Sequence, residues 1–216
     1  MTDDCIVFIV DDDAQIRASL DNLCRSVDLA VETFASMDEF HSRAVSDKPC
    51  CLVLDVRFPG SVPSGLEFQR QLANAGRAPP VVFITGHGDV PMSVQAMKSG
   101  AVDFLTKPFR EQDLLDAIRV AIERDRLQRN EQRSLAMLCA QFQTLTLRER
   151  EVMGLVTRGW PNKQIAAALG LSEVTVKVHR GHVMQKMEAR SLAELVRLND
   201  RLSVAGVSAA VPDTKV

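Results

Sequence analysis

The sequence predicts an α/β domain with a doubly wound, five-stranded parallel sheet, followed by a smaller all-α domain. Short apolar runs, typical of strands buried on both faces, predict the sheet. Helical patterns that alternate with these runs predict its parallel winding. In residues 144–203, short helices joined by a tight turn predict the all-α domain. The chain has 216 residues, which is long enough for both domains.

Five apolar runs mark the predicted strands. The runs are Ile6–Val10, Val31–Phe34, Cys51–Leu54, Val81–Ile84 and Ala101–Thr106. The segments between and after them carry apolar residues three and four positions apart, which is the spacing of a helix with one buried face. These predicted helices carry Ile16 to Val27, Met37 to Ala44, Leu66 to Leu72, Val94 to Met97 (with Asp89 as cap) and Leu115 to Ile122.

Reactive side chains stand at the carboxyl ends of four predicted strands: Asp11, Asp12, Asp55, Thr85 and Lys107. In this architecture those ends converge on one crevice, so we expect the five side chains to lie together. Three carboxylates in one place repel each other and invite a hard cation with oxygen ligands, such as Mg²⁺. Asp55 would then be the nucleophile toward phosphorus, with Lys107 and Thr85 holding phosphoryl oxygens. The alternatives, in which Asp55 only turns the chain and the others are surface groups, explain single residues better than the whole set.

Residues 4–122 resemble a response-regulator receiver domain, which has a CheY/flavodoxin-like fold. The resemblance is carried by Val10-Asp11-Asp12, Leu54-Asp55, Ile84-Thr85-Gly86-His87-Gly88 and Phe104-Leu105-Thr106-Lys107-Pro108-Phe109. The run Thr-Gly-His-Gly-Asp-Val-Pro-Met at 85–92 is particularly similar to the FixJ branch of that family.

The resemblance implies that a sensor histidine kinase transfers a phosphoryl group to Asp55. It also implies a metal site in which Asp12 is the principal Mg²⁺ carboxylate and Asp11 assists through water. The main-chain carbonyl of Arg57 would complete that site. The remaining implied features are the switch pair Thr85 and Phe104, the phosphate contact Lys107, and a cis peptide bond between Lys107 and Pro108.

The loop after Asp55 departs from the family pattern. That pattern is Pro-Asp-Met-Ser-Gly, whereas this chain has Pro59-Gly60-Ser61-Val62-Pro63-Ser64-Gly65, which is two residues longer and lacks the acidic residue. Because the loop borders the predicted site, it bears on phosphorylation kinetics and on the fit of the kinase. An aspartyl-phosphate hydrolase, the rival enzyme class, would need a second carboxylate two residues beyond the nucleophile, where Arg57 stands.

Charge divides the chain into an acidic and a basic part. Residues 1–122 have 11 Lys/Arg and 18 Asp/Glu, a formal charge of −7, whereas residues 144–203 have 10 and 6, a charge of +4. Two domains with different partners are therefore indicated, and the basic one is the candidate for nucleic acid. Residues 123–143 are predicted to be a helical linker, and residues 204–216 a mobile tail. Leu135, Leu138 and Phe142 of the linker form either a dimer seam or a stripe packed on their own domain.

Membrane and secretory signals are absent from the sequence. No apolar run approaches the roughly 20 residues needed to span a bilayer, and the acidic N-terminus lacks the basic region of a signal peptide. The five cysteines, at positions 5, 24, 50, 51 and 139, lie in or beside apolar patterns with no zinc-type spacing. We therefore expect buried thiols in a reducing cytoplasm and no membrane partner.

The C-terminal part begins with a capping box, Thr146 to Glu149, that opens a helix. Asn162 is predicted to cap a second helix, which Gly170 ends, and Ser172 to cap a third. Helix, short glycine turn and helix is the pattern of a DNA-binding helix-turn-helix, although a plain αα-hairpin has the same local signals. The positive charge of this part favours DNA binding.

The third of these helices has two distinct faces at about 100° per residue. One face, toward the predicted core, holds Val176, His179, Val183 and Met187, and the opposite face holds Val174, Lys177, Val178, Gly181, His182 and Gln185. Exposed valines suit thymine methyls in the major groove. Gly181 costs roughly 1 kcal/mol inside a helix, yet it lets the backbone approach DNA closely. Arg180 lies nearer the core edge, so its long side chain is assigned to phosphate.

Residues 144–203 resemble a LuxR/FixJ-type effector domain. The matching segments are Asn162-Lys163-Gln164-Ile165-Ala166, Leu171-Ser172-Glu173-Val174-Thr175-Val176-Lys177-Val178-His179 and Gln185-Lys186-Met187. The resemblance implies a four-helix domain with residues 173–187 as recognition helix and DNA contacts by Lys163, Thr175 and Lys177. Asn is common in the family where this chain has His182, so base preference does not carry over. Ser191 should cap the last helix, whose apolar stripe is a candidate dimer face.

These features together predict a two-component transcriptional regulator rather than an enzyme acting on other substrates. Phosphorylated at Asp55, it would form a homodimer, bind promoter double-stranded DNA and act with RNA polymerase to regulate transcription, with activation favoured over repression. A DNA-binding module with a degenerate receiver is the remaining alternative. The complete set Asp11, Asp12, Asp55, Thr85 and Lys107 argues against it.

Overall fold

A computed structural model describes residues 5–42, 46–56, 65, 67, 69–70, 78–86 and 90–207. The chain divides into two compact units between Arg129 and Asn130. Some predicted features fall wholly or partly outside the described residues. They are the helix around Leu66 to Leu72, the Asp89 cap, most of the longer loop and Arg57. Among those described, no helix combines the length and the apolar character needed to cross a membrane.

The first unit contains a five-stranded parallel sheet in the order β2-β1-β3-β4-β5, which confirms the predicted doubly wound α/β fold. Parallel strands need helical crossovers, and the described helices alternate with the strands as expected. The strands are β1 (Ile6–Val10), β2 (Ala30–Phe34), β3 (Cys50–Asp55), β4 (Val81–Thr85) and β5 (Asp103–Thr106). The described helices are α1 (Ala14–Ser26), α2 (Met37–His41), α3 (Val90–Lys98) and α4 (Glu111–Gln143), which extends into the second unit.

Both faces of the sheet are covered, because successive strand residues point to opposite sides. Phe8, Leu52 and Phe83 lie in the apolar cluster on one face, while Val53 and Ile84 lie in the cluster on the other. Every residue of β1, β3 and β4 is buried. This two-sided burial explains why the strands read as continuous apolar runs rather than alternating ones.

The strand register brings the predicted reactive side chains to one edge of the sheet. Val10, just before the acidic pair, is opposite Leu54, and Asp55 is opposite Ile84. Thr85 is in turn opposite Thr106, next to Lys107. The prediction that these strand ends converge is confirmed by this pairing.

The middle of α4 is tied to the opposite end of the sheet by a buried carboxylate. Asp125, which is 5% exposed, accepts hydrogen bonds from Cys50 N at 2.8 Å and Arg129 Nε at 2.6 Å. Arg129 also donates to the carbonyl of Ser46 at 3.1 Å. Helix α4 is therefore anchored to the start of β3 beyond residue 122.

Replacing Asp125 by Ala should destabilise the first unit by about 3 kcal/mol, because it leaves a half-buried guanidinium and a buried Cys50 N–H without their partner. Asp116→Ala is the matched control, since Asp116 pairs with Arg119 on the exposed surface of the same helix. That control should cost less than about 1 kcal/mol. Urea unfolding of both variants measures the difference, and equal midpoints would contradict the anchoring role.

The second unit packs α5 (Leu147–Thr157), α6 (Asn162–Leu169), α7 (Glu173–Lys186) and α8 (Leu192–Val204) around one apolar core. Leu138 and Phe142, near the end of α4, are buried in that core. Of the two alternatives for this stripe, packing on its own domain is therefore the correct one for these two residues. Leu195 and Leu202 of α8 are also buried in the core, and Val207 packs against it.

Most of the predicted helix caps are present. The Thr146–Glu149 capping box is complete, and Ser172 and Ser191 accept the N-cap hydrogen bonds of α7 and α8. The predicted Asn162 cap is wrong, because Pro161 occupies the N-cap position and no side chain caps α6. Asn162 is the first helical residue, and its side-chain oxygen accepts a hydrogen bond from Arg180 instead.

Three cysteines are buried in the first unit, as predicted. Burial raises the pKa of Cys24 to about 11 and that of Cys50 to about 12, and it holds the pKa of Cys51 well above its ordinary value. A thiol with such a pKa is unreactive near neutral pH, since the thiolate is the nucleophile. Cys5 and Cys139 are only partly buried.

Candidate functional site

An acidic cluster lies at the carboxyl edge of the sheet, where the sequence predicts it. One carboxylate oxygen from each of Asp11, Asp12 and Asp55 lies within 4.8 Å of the others. Asp11 is fully buried, Asp55 is nearly so, and Asp12 is exposed. Three carboxylates at this spacing form the oxygen-rich donor set that Mg²⁺ prefers, so the residues present fit that ion.

Lys107 is the cation of this cluster. Its Nζ lies 2.8 Å from Asp11 Oδ2 and 3.6 Å from Asp55 Oδ2. The backbone here is fixed by a hydrogen bond from Lys107 N to the carbonyl of Thr85 at 2.7 Å. The predicted cis peptide bond between Lys107 and Pro108 is confirmed. The ammonium group thus faces the carboxylate that would carry a phosphoryl group.

The residues of the expected switch lie on neighbouring strands. Thr85 is fully buried at the end of β4, one strand away from Asp55. Phe104 on β5 is half-buried, and its ring centroid lies 6.3 Å from that of Phe83 on β4. Phe104 therefore has one side against the core and one side toward solvent.

Helix α7 presents most of the predicted DNA-contacting side chains to solvent. Val174 is 71% exposed and Val178 is 50% exposed, although both are apolar. The predicted inward face is confirmed for Val176, Val183 and Met187, which are buried. The other exposed members of the predicted set are Lys163, Lys177, Gly181 and His182, while Thr175 and Arg180 are half-buried.

Arg180 and Gly181 of this set have different surroundings. Arg180 Nη1 donates to Asn162 Oδ1 at 2.9 Å, which links α7 to the start of α6. Gly181 has the opposite character, since a Cβ at this position would meet nothing within 4 Å. The protein's own packing therefore does not require glycine there.

Glu149 connects the capping box of α5 to the recognition helix, and the sequence analysis did not predict this link. Its Oε2 accepts hydrogen bonds from Lys186 Nζ at 2.6 Å and from Thr146 N at 2.8 Å, and its Oε1 lies 3.3 Å from His182 Nδ1. Burial raises the pKa of the Glu149 carboxyl, but the hydrogen bonds from Lys186 and Thr146 outweigh burial and lower this pKa to about 2. Glu149 is therefore ionised at neutral pH.

Comparison with known proteins agrees with these two sites. Residues 7–119 match the family model for the response regulator receiver domain, and residues 143–199 match that for bacterial regulatory proteins of the luxR family. The chain belongs to the NarL/FixJ family of response regulators. It carries both the receiver and the LuxR-type DNA-binding domain of that family.

Several relatives align with nearly the whole length of this regulator. Nodulation protein W of Bradyrhizobium diazoefficiens is 56% identical over 200 residues, covering 93% of this chain and 87% of that protein. Transcriptional regulatory protein FixJ of Rhizobium meliloti is 43% identical over 201 residues, covering 90% and 95%. The solved structure of response regulator StyR has 48% identity and a TM-score of 0.82, covering 92% of this chain and 99% of that one.

Two further residues of the regulator support the acidic cluster and were missed from the sequence. Arg17 Nη1 donates to the carbonyl oxygens of Asp11 at 2.7 Å and Asp12 at 2.9 Å, which fixes the loop that carries both carboxylates. Asp13, the third acidic residue of the run, caps α1 rather than joining the cluster. No local pattern distinguishes Arg17 from an ordinary surface arginine of a helix.

Gly65 is the second missed residue. A Cβ at this position would lie 2.7 Å from the carbonyl oxygen of Asp55 and 3.1 Å from Val56 Cα, so any side chain would push against the backbone of the predicted phosphoacceptor. The available signal is the match of Ser64-Gly65 to the end of the family's loop pattern. Arg57 lies outside the described residues, so its predicted carbonyl contact stays a prediction.

Proposed function

We propose that this regulator accepts a phosphoryl group from a sensor histidine kinase on Asp55 and then binds promoter double-stranded DNA as a homodimer. The observation that carries the proposal is the convergence of Asp11, Asp12 and Lys107 on Asp55 in a chain with a LuxR-type domain. Interaction with RNA polymerase, activation of transcription and a cytoplasmic location belong to the same proposal.

The chemistry begins with a carboxylate oxygen of Asp55 attacking the phosphorus of the kinase's phosphohistidine. A P–O bond forms, the P–N bond breaks, and the electron pair leaves with the histidine nitrogen. The ammonium of Lys107, 3.6 Å from Asp55, would bind a phosphoryl oxygen and offset part of the developing charge. Thr85 would donate its hydroxyl to another oxygen.

Asp11, Asp12 and Asp55 would hold Mg²⁺, with the Arg57 carbonyl as a further ligand. When bound, this ion neutralises the carboxylates and orients the phosphoryl oxygens. Arg17 would keep the first two carboxylates in place through their main-chain carbonyls. Gly65, which has no side chain, would let its own backbone pass close to the backbone of Asp55 and Val56.

The test is exposure of the purified chain to acetyl phosphate and Mg²⁺, followed by a phosphate-affinity gel. A retarded band that disappears after acid treatment is the expected result, because an acyl phosphate is labile. Omission of Mg²⁺ should reduce the band strongly. An unretarded protein would favour the alternative of a DNA-binding module with a degenerate receiver.

The DNA contacts we propose come from the exposed side of α7 together with Lys163 of α6. Val174 and Val178 would contact thymine methyls, and Lys177 and His182 would face base edges in the major groove. Thr175, Arg180 and Lys163 would contact phosphates and so set the position on the duplex. The solvent exposure of two valines on a polar helix supports this assignment.

Gly181→Ala should raise stability while weakening DNA binding. Since a Cβ at this position meets nothing, alanine adds up to about 1 kcal/mol of helix stability, whereas on DNA the same methyl would occupy the space of the approaching duplex. We expect a higher melting temperature and at least a tenfold loss of affinity for specific DNA. Gel shift and thermal melting on one preparation measure both, and unchanged affinity would exclude a close approach at Gly181.

Lys177→Ala and Lys163→Ala should weaken DNA binding in different ways. Losing a base contact costs about 1–3 kcal/mol of discrimination, so Lys177→Ala should lose more on specific than on random DNA. Losing a phosphate contact lowers the slope of log affinity against log salt concentration by roughly one unit. It weakens binding to all sequences alike, which is what we expect for Lys163→Ala. Titrations on both DNAs at several salt concentrations measure the difference. Equal losses for Lys177→Ala would assign that residue to the backbone.

A further inference from the structure

Three ligand-type side chains meet in the second unit, far in sequence from the acidic cluster. They are Glu149 of α5 and His179 and His182 of α7, and one ligand atom from each lies within 4.8 Å of the others. The two histidines are three positions apart on one helix, so their rings are on neighbouring parts of its surface. Phosphorylation uses none of the three.

The carboxylate of this group is already oriented for a ligand. Lys186 and Thr146 both donate to Glu149 Oε2, whereas Oε1 is directed toward His182 Nδ1 at 3.3 Å. Hydrogen bonds to one oxygen of a carboxylate hold the other in position for a metal ion, as outer-shell partners commonly do. Because Lys186 is on the far oxygen, its charge does not occupy the position between Glu149 and the histidines.

His179 adds an independent observation. Its Nδ1 is buried and has no hydrogen-bond partner among the described residues. Buried polar atoms without a partner are uncommon, and one in a native protein calls for an explanation such as a missing ion. Two imidazoles and a carboxylate are the ligands typical of Zn²⁺ sites with an open fourth position.

We propose that Glu149, His179 and His182 bind a Zn²⁺-type transition-metal ion on the recognition helix. With metal bonds of about 2.0–2.2 Å, tetrahedral ligand atoms lie roughly 3.3–3.6 Å apart. Side-chain rotations that close the present spacing by about 1.5 Å or less would therefore suffice, and the exposed ring of His182 has room for them. Such an ion would withdraw His182 from the DNA groove and add positive charge beside it, so metal binding and DNA binding would be coupled.

The test is titration of the full chain with Zn²⁺, with Mg²⁺ in excess so that the acidic cluster is occupied. Competition with a chromophoric chelator measures the affinity, and Co²⁺ in place of Zn²⁺ reports the ligands by its visible spectrum. The variants are His182→Gln, which changes an exposed ring and leaves the apolar core intact, and His179→Gln. His41→Gln, an exposed histidine of α2, is the matched control.

One equivalent of metal, a tetrahedral Co²⁺ spectrum and at least a tenfold weaker affinity in His182→Gln are expected, with His41→Gln unchanged. Thermal melting without metal confirms that the variants are folded. Equal affinity in the wild type and His182→Gln, or thiolate charge-transfer bands in the Co²⁺ spectrum, would overturn the proposal. Absence of any binding to the wild type would overturn it as well.

Discussion

Asp55→Ala should abolish the acid-labile phosphate that acetyl phosphate and Mg²⁺ introduce into this regulator. The side chain is 8% exposed at the end of β3 and faces the ammonium of Lys107. Among the described residues, no other carboxylate is the last residue of a central strand. Asp11, the nearest buried candidate, is already held by Lys107 at 2.8 Å and by the backbone N–H of Asp13 at 2.9 Å.

The same substitution should leave the domain folded. Removing Asp55 relieves repulsion among three carboxylates, which compensates for the lost contact with Lys107. We expect the free energy of unfolding to change by no more than about 1 kcal/mol, which is a common size for the effect of a single substitution. A phosphate-affinity gel and a melting curve measure both effects. Retention of acid-labile phosphate by the folded variant would assign the phosphoacceptor elsewhere.

Asp12→Ala separates metal binding from the nucleophile. Asp12 is exposed, and the proposed nucleophile is Asp55, so this variant should bind Mg²⁺ more weakly while keeping Asp55 in place. Phosphorylation should then recover as the Mg²⁺ concentration rises, whereas Asp55→Ala should not recover at any concentration. Identical behaviour of the two variants would contradict their separate roles.

The sheet and the convergence of the reactive residues were predictable because both depend on local patterns and one general rule. Continuous apolar runs at β1, β3 and β4 indicate two-sided burial, which a parallel sheet covered by helices provides. The carboxyl ends of such strands meet at one edge. The sequence alone therefore predicts that Asp55 and Lys107, 52 positions apart, lie together.

Contacts that depend on side-chain reach over many residues were not predictable. Arg17 donates to a main-chain carbonyl of the loop that precedes its own helix. Asp125 accepts a hydrogen bond from a backbone N–H 75 residues away, and Lys186 donates to Glu149 across 37 residues. The sequence predicts a cap at Asn162 because Asn favours that position, but the preceding residue, Pro161, has the extended backbone of a cap. The guanidinium of Arg180 then offers the Asn162 side chain a stronger partner.

The dimer hypothesis starts from the charge that phosphorylation adds. A phosphoryl group would add about −1.5 to −2 charges at Asp55, beside Lys107, Asp11 and Asp12. Thr85, one strand away, can move to donate its hydroxyl to a phosphoryl oxygen. Its movement would open space that Phe104 can enter, since that ring is only half-buried and lies 6.3 Å from Phe83.

The surface next to this pair is apolar enough to bind a second copy. Val90, Val94 and Met97 of α3 are 75%, 44% and 47% exposed. The residues of the adjacent edge strand β5 are at best half-buried. Exposed apolar side chains grouped on one helix mark an interaction surface more often than isolated ones do. We therefore expect rearrangement of α3 and β5 to create the dimer contact.

Phosphorylation should strengthen binding to a promoter with two half-sites far more than binding to a single half-site. A dimer places two α7 helices on half-sites about one DNA turn, roughly 34 Å, apart. The second contact then becomes intramolecular, which raises affinity by about 10²–10⁴ without any new base contact. Sedimentation velocity with and without acetyl phosphate measures dimer formation, and gel shifts on both DNAs measure the two affinities.

Val94→Asp should block both effects while leaving Asp55 phosphorylated, because a charge in an apolar contact is costly to bury. A phosphorylated protein that stays monomeric yet gains equally on one and two half-sites would rule out dimerisation and favour release of an autoinhibited DNA-binding domain.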